Sequence, residues 1–139
     1  MAARARNIEV SIHRITRSDE IAIAIEMAKA AGATALNVLA SPMLNSNRQL
    51  IIERVATLHL PAIYQFPETA EEGGFVAYGP RFDQIIRELH ARQLLRLFGG
   101  AKVADIPVEQ PTTFELVINL KTARAIGVSV PRDFAGTRR

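Results

Sequence analysis

Three loops of the sequence carry side chains that could hold a small polar or aromatic molecule. Each loop follows a predicted strand, and ligands in open α/β sheets bind outside the carboxyl ends of the strands. Ser41, Asn45 and Ser46 form the first loop and lead into a predicted helix, whose free amides and positive dipole suit a ligand carboxylate. In the alternative interpretation, Ser46 only caps the helix and Asn45 only makes the turn.

The other two loops add aromatic rings and a negative charge. Phe66 offers an aromatic surface, and the Glu68 carboxylate could meet an amino group, although Phe66 could equally be core packing. Tyr78 ends the fourth predicted strand, where its ring could stack on a ligand and its hydroxyl could bond across a cleft. The predicted ligand-binding residues are therefore Ser41, Asn45, Ser46, Phe66, Glu68 and Tyr78.

The residue patterns of enzymes and metal sites are not found in this sequence. There is no cysteine, and His13, His59 and His90 lie on separate predicted elements, without the i, i+4 spacing of a helical metal site. No serine, histidine and acid trio is placed together, and Gly73-Gly74 precedes a strand instead of opening a phosphate-binding helix. We predict a protein that is not an enzyme and uses no metal or other cofactor.

Length and composition fit one globular domain. The 139 residues are 48% hydrophobic and 22% charged, and charges interrupt every long apolar run. The net charge is +3, with arginines gathered at both ends, and the 6% aromatic content is too low for a base-stacking platform. We therefore predict neither nucleic-acid binding nor membrane insertion.

Alternating strand and helix patterns in the first 80 residues indicate an α/β fold. Ser18 is a candidate cap for the first helix, and Ser46 with Gln49 has the spacing of a capping box for a helix that runs to Leu58. The order βαβαβ predicts a doubly wound parallel sheet in three αβα layers. Strands are predicted at 7–15, 33–40, 60–65 and 75–78, with the neighbouring strand segments Ile8 to Ile12, Ala35 to Leu39, Ala62 to Tyr64 and Phe75 to Ala77.

A long amphipathic helix is predicted from Pro80 to Phe98, with apolar residues at helical spacing and Gly99-Gly100 at its end. An extended connector follows, and then a strand over 114–118. Asn119 is the predicted cap of a last short helix, which ends at Gly127. We expect a disordered tail over 132–139.

Four stretches carry more specific patterns: GATALNVLA at 32–40, LPAIY at 60–64, GGFVAYGP at 73–80 and, most specific, IPVEQPTTFELVINLKTA at 106–123. Together they resemble the tryptophan/tyrosine-type substrate-binding proteins of ABC transporters, over nearly the whole chain. The resemblance implies a type I periplasmic-binding-protein fold, in which two α/β lobes joined by three crossings hold a ligand in their cleft. It also implies an ABC permease as partner.

The resemblance further implies that this chain corresponds to the second lobe and closing segments. Residues 1–79 would form the α/β core of that lobe, 80–104 the helix that returns to the first lobe, and 105–131 the hinge connector with the final strand and helix. Gly79-Pro80 and Pro107 to Pro111 would be hinge crossings. The full-length family works in the periplasm or elsewhere outside the cytoplasm, whereas this chain has no export signal and would stay cytoplasmic as written.

The function implied is the solute-binding component of an ABC importer, which closes over a small amino-acid-like or aromatic ligand. Two alternatives remain: a cytoplasmic ligand-sensing module of the same fold and an inactive truncated fragment. Because half of the cleft would be missing, we expect weak or undetectable binding of amino acids by the chain alone. We also expect a homodimer or higher oligomer, because the apolar stripe of the 80–98 helix would lack the first lobe.

Overall fold

The sheet at the centre of the molecule has four strands in the order β1-β2-β3-β4. The computed structural model describes residues 4–131 and residue 134, so most of the predicted tail at 132–139 lies outside the described residues. The first three strands are parallel, and β4 is antiparallel to β3. The strands are β1 (Leu36–Asn37), β2 (Ala62–Tyr64), β3 (Val76–Gly79) and β4 (Glu115–Ile118).

Helices fill the connections between these strands. Proline occupies the first turn of α2 and of α4, where its missing N–H leaves no helical hydrogen bond unmade. A continuous helical run over 82–98, here called the 82–98 helix, combines α5, a π-helical stretch at Ile85–His90 and α6. The helices are α1 (Glu20–Ala30), α2 (Pro42–Ser46), α3 (Arg48–Thr57), α4 (Pro67–Glu71), α5 (Phe82–Gln84), α6 (Ala91–Phe98) and α7 (Leu120–Ala125), with 3-10 turns at Arg4–Arg6 and Val103–Asp105.

The main core lies against one face of the sheet. In β2, Ala62 and Tyr64 are buried whereas Ile63 between them is 36% exposed, as expected for a strand with one covered face. Tyr78, on the same face as Ile63, is 57% exposed. The buried core cluster consists of Ile21, Ile25, Ile51, Ile52, Val55, Leu60, Ala62, Tyr64, Ala70 and Ala77. The architecture confirms the α/β class and the predicted parallel pairing of the two middle segments, with Leu36 opposite Ala62.

The strand predicted over 7–15 is wrong. This segment has no regular structure, and Ile8, Val10 and Ile12 are 54%, 64% and 78% exposed. An alternating pattern makes a strand only when a neighbouring strand accepts its backbone hydrogen bonds. Among the described strands, β1 pairs only with β2, and none pairs with this segment. Ile15, at its end, is the residue that packs against the core.

The strand predicted over 33–40 is also shorter and less covered than expected. Only Leu36–Asn37 is regular, and Asn37 and Leu39 are exposed. The expected burial on both faces is therefore wrong, because Asn37 lies opposite Ile63 on the face of the sheet that is only partly covered.

The predicted caps of the first helices are wrong as well. The N-cap residue of α1 is Asp19 in place of Ser18, and no side chain among the described residues caps this helix. The Glu20 carboxylate instead accepts the N–H groups of Thr16 (2.8 Å) and Arg17 (3.2 Å), which precede the helix. Ser46 ends α2 and forms no capping box, because Pro42 begins a separate short helix that includes Ser46.

The predicted cap of the last helix is confirmed. Asn119 Oδ1 accepts the N–H groups of Lys121 and Thr122, both at 3.1 Å. Asn119 Nδ2 also donates to the carbonyl of Ala70 at 2.9 Å, so the same side chain ties α7 to α4. This double role explains why an asparagine suits the position.

Candidate ligand-binding site

A shallow depression open to solvent lies at the carboxyl ends of β1 and β2. Ser41, Asn45 and Phe66 of the predicted site contribute to its wall, which brings the first two predicted loops together. The full lining is Val38, Leu39, Ala40, Ser41, Leu44, Asn45, Arg48, Ile51, Tyr64, Gln65, Phe66 and Thr69. Its position at the carboxyl edge of a parallel pair is where open α/β sheets hold ligands.

The loop after β1 is a tight helical turn. Ser41 has an extended backbone, Pro42 begins α2, and the N–H of Asn45 donates to the Ser41 carbonyl at 2.9 Å. Asn47 Nδ2 then donates to the carbonyl of Met43 at 2.8 Å. These bonds fix the backbone that carries Ser41 and Asn45 at the depression.

Arg48, which the sequence interpretation missed, also lines the depression. Its Nε and Nη2 donate to the Glu72 carboxylate at 2.5 and 3.0 Å, and its Nη1 donates to the Asn45 carbonyl at 3.2 Å. The hydrogen bonds between the two groups raise the pKa of Arg48 and lower the pKa of Glu72. Glu72 is 24 residues away in sequence, so local spacing gave no signal for this pair.

Tyr64 contributes a buried ring to the same lining. The side chain is 4% exposed, and burial raises the pKa of its hydroxyl, which therefore stays protonated and neutral at ordinary pH. Its hydroxyl has no hydrogen-bond partner among the described residues. The ring also packs closely on Gly74, where an added Cβ would come within 2.7 Å of ring carbon Cε2.

Glu68 and Phe66 both contact the start of the 82–98 helix. Glu68 Oε1 accepts the backbone N–H of Phe82 at 2.9 Å, and Glu68 is not among the residues that line the depression. The Phe66 ring meets the Phe82 ring edge-on, with centroids 5.1 Å apart. Phe66 thus contributes to the depression and also packs within the protein.

Tyr78 and Ser46 lie outside the depression. Tyr78 is at the carboxyl end of β3, but its side chain is on the sheet face opposite Tyr64, with its ring 5.9 Å from that of Phe114. Ser46 is exposed at the end of α2. Of the six predicted residues, the structure therefore gathers Ser41, Asn45 and Phe66 in the depression and places Ser46, Glu68 and Tyr78 elsewhere.

The profile of a family described as "ABC transporter substrate binding protein" matches residues 1–135. The chain belongs to this family. The resemblance inferred from the four sequence stretches is confirmed. Comparison with curated protein sequences gives no match.

The three solved structures of similar fold that follow have chains about twice as long as this family member. A domain from Streptococcus pneumoniae in complex with L-Trp matches with a TM-score of 0.83 at 20% identity, over 96% of this chain and 46% of that one. A conserved domain protein from Vibrio cholerae gives 0.86 at 18% identity, over 96% and 45%. A ligand-free, open substrate-binding protein with adhesive properties from Clostridium difficile gives 0.57 at 17% identity, over 94% and 43%. At these identities the likeness concerns the fold.

In this substrate-binding family member, strand pairing and ion pairs hold residues 79–81 against β4 and α4. Gly79 lies opposite Glu115 in the antiparallel β3–β4 pair, and Arg81 bridges Glu115 (3.0 Å) and Glu71 (2.7 Å). The two carboxylates raise the pKa of Arg81. A Cβ on Gly79 would collide with the carbonyl oxygen of Gln65, so the two backbones touch at this point. The segment that leaves β3 is thus anchored to α4 and β4.

Beyond this anchor, the 82–98 helix is poorly covered by the rest of the described structure. None of its residues is buried, and Leu95 and Phe98 are 70% and 84% exposed. Its Arg92 and Arg96 reach Glu109 of the connector at 3.1 and 3.6 Å. Two arginines of the helix thus form ion pairs with the connector, whereas several of its large apolar side chains are exposed.

Two kinds of structural feature are absent from the part of the chain that the structure describes. No helix there is long and apolar enough to cross a membrane. No group of three or more histidine, cysteine, aspartate or glutamate side chains is arranged there to hold a metal ion.

Proposed function

We propose that this chain is one lobe of the solute-binding component of an ABC importer and that the depression is its half of the ligand site. The observation that carries the proposal is the convergence of Ser41, Asn45 and Phe66 at the carboxyl edge of β1 and β2, in a chain of the substrate-binding family. Ligand binding at this edge follows from the free backbone groups and loops that parallel strands present there.

The proposed ligand is a small amino-acid-like or aromatic molecule. Phe66 and the hydroxyl and amide groups of Ser41 and Asn45 offer an apolar surface beside hydrogen-bonding groups, the mixture that small-ligand sites use. The L-Trp bound to the Streptococcus pneumoniae domain supports the same class. In this proposal the site lies outside the cytoplasm and delivers its ligand to an ABC permease.

The proposed mechanism is closure of two lobes about a hinge. Residues 1–79 form the lobe core, 80–104 cross to the other lobe, and 105–131 return through the hinge connector. Closure by rotation at such crossings would trap the ligand between the lobes. The ion pairs of Arg81 with Glu71 and Glu115 hold the lobe side of the crossing, so rotation would take place beyond residue 81.

We also propose that two copies of the chain pair through the 82–98 helix. Its exposed apolar side chains amount to an area on the order of several hundred Å², near or above what a soluble monomer usually leaves uncovered. At about 25 cal/mol per Å², covering it contributes several kcal/mol before the cost of association. Sedimentation equilibrium should give a dimer, and Ile86→Asp should return it to a monomer. A monomer at concentrations of tens of micromolar, with mass and solubility unchanged by Ile86→Asp, would contradict the pairing.

Titration with L-tryptophan, followed through backbone amide resonances, tests the ligand site. We expect shift changes centred on Ser41, Asn45 and Phe66, with a dissociation constant of about 1 mM or weaker, because one lobe leaves much of the ligand in water. Glycine, which lacks the aromatic ring, is the matched control and should bind still more weakly. Changes centred on Tyr78 instead, or a submicromolar dissociation constant by calorimetry, would contradict the proposal.

A further inference from the structure

Arg48 presents unused hydrogen-bond donors at the depression. A guanidinium has five N–H groups, and three of them are engaged, two by the Glu72 carboxylate and one by the Asn45 carbonyl. One N–H on each terminal nitrogen is left. The side chain is 37% exposed and forms part of the lining of the depression.

Two residues outside the lining of the depression, Glu72 and Gln49, orient Arg48. Glu72 binds it through both carboxylate oxygens, in the two-point geometry that arginine and carboxylate share. Gln49 Nε2 also donates to Glu72 Oε2, at 3.2 Å, and thereby holds the carboxylate in place. Glu72 itself does not line the depression. These bonds favour one orientation of the guanidinium before any ligand arrives.

The charge of the lining favours an anion. Among the described residues that line the depression, Arg48 supplies a positive charge and no aspartate or glutamate is present. Glu68, the acidic residue that the sequence placed here, bonds to the backbone of Phe82 outside the lining. Because the Glu72 carboxylate offsets much of the Arg48 charge, the preference rests mainly on the two free N–H donors, which a ligand carboxylate can accept and an ammonium group cannot.

We propose that Arg48 is a specificity-determining residue of this site and binds the carboxylate group of the ligand, with Glu72 as its positioning residue. This inference rests on the proposed function, because it assumes that the depression holds the ligand. It assigns the carboxylate to a side chain, in place of the helix N-terminus that the sequence suggested, since α2 has only five residues. The site should therefore prefer aromatic acids to aromatic amines.

Three probes that differ in their charged groups test this preference on the full chain: L-tryptophan, indole-3-propionate and tryptamine. We expect both carboxylates to bind and tryptamine to bind at least about tenfold more weakly, as the loss of a hydrogen bond to a charged group implies. Arg48→Gln should remove the preference, and Arg48→Lys should restore only part of it. Amide spectra and urea unfolding of each variant confirm that it is folded.

The exchanged pair Arg48→Glu with Glu72→Arg separates ligand binding from a purely structural role. It restores the ion pair between α3 and the end of α4 but removes the cation from the depression, so stability should recover while carboxylate binding stays lost. Recovery of L-tryptophan affinity in the exchanged pair, or an unchanged preference in Arg48→Gln, would overturn the inference and leave the proposed function standing. Failure of all three probes to perturb the depression in the wild-type chain would overturn both.

Discussion

Helix α1 and the 82–98 helix both carry large apolar side chains but have different surroundings. In α1, Ile21, Ile25 and Ala28 are 1%, 7% and 2% exposed, and the two isoleucines belong to the core cluster with residues of α3 and the sheet. In the 82–98 helix no residue is buried, although its apolar residues also recur at helical spacing. The periodic pattern therefore identifies a helix and its apolar side, while burial depends on a neighbour that the pattern does not name.

The two faces of the sheet also differ in how far their side chains are covered. Ala62 and Tyr64 are covered on the core face, whereas Ile63 and Tyr78 on the other face are partly or largely exposed. The chain spans less than half the length of each of the three solved structures described above. One lobe of a two-lobed protein would present such a division. One half would fold around its own core, and the other half would leave apolar surface exposed.

The largest expected effect comes from truncating matched isoleucines in the two helices. Ile21→Ala should lower the free energy of unfolding by about 2–5 kcal/mol, because it leaves a cavity in the core. Ile86→Ala removes the same atoms from a side chain that is 44% exposed and should change it by no more than about 0.5 kcal/mol in the monomer. Urea unfolding of both variants measures the difference. Equal losses would show that the 82–98 helix is packed as tightly as α1.

A smaller effect concerns pH and the Arg48–Glu72 pair. Because Arg48 lowers the pKa of Glu72, the pair contributes stability above the ordinary glutamate value of 4.5 and loses it as pH falls through the lowered value. Both side chains are about one-third exposed, so the contribution should be no more than about 1 kcal/mol. Glu72→Gln should flatten the decline of stability between about pH 5 and pH 3.

The control for this titration is Glu53→Gln, on the exposed side of α3. Glu53 has no ion pair among the described residues, so its replacement should leave the pH dependence unchanged. Identical pH profiles for the wild type and Glu72→Gln would show that the pair adds nothing to stability.

Local patterns sufficed for much of the fold but for only part of the site. The Asn119 cap and the parallel strand pair that contains Leu36 depend on local spacing and strand order, and both were predictable. The segment at 7–15 has the pattern of a strand but no partner strand, and partners are a tertiary property. Ser46 illustrates a competing local signal, because Pro42 starts an earlier helix that includes it.

Long-range contacts account for most of what was missed in the site. Glu72 positions Arg48. Glu68 lies outside the lining, where its carboxylate accepts the backbone N–H of Phe82, 14 residues later. Tyr78 lies near the carboxyl end of its strand, as expected, but the alternation of side chains along β3 places its ring on the face opposite Tyr64. Loop order along the chain could therefore name Ser41, Asn45 and Phe66 and could not reveal which charges surround them.

Native-state hydrogen exchange tests most directly whether the molecule consists of a covered half and an uncovered half. In dilute monomeric chain, the amides of α1 and α3 should exchange only through global unfolding, whereas those of the 82–98 helix should exchange far faster, through local opening. Protection of the 82–98 helix should then rise with protein concentration, and Ile86→Asp should cancel that rise. Protection of the 82–98 helix equal to that of α1 in the dilute monomer would contradict the division.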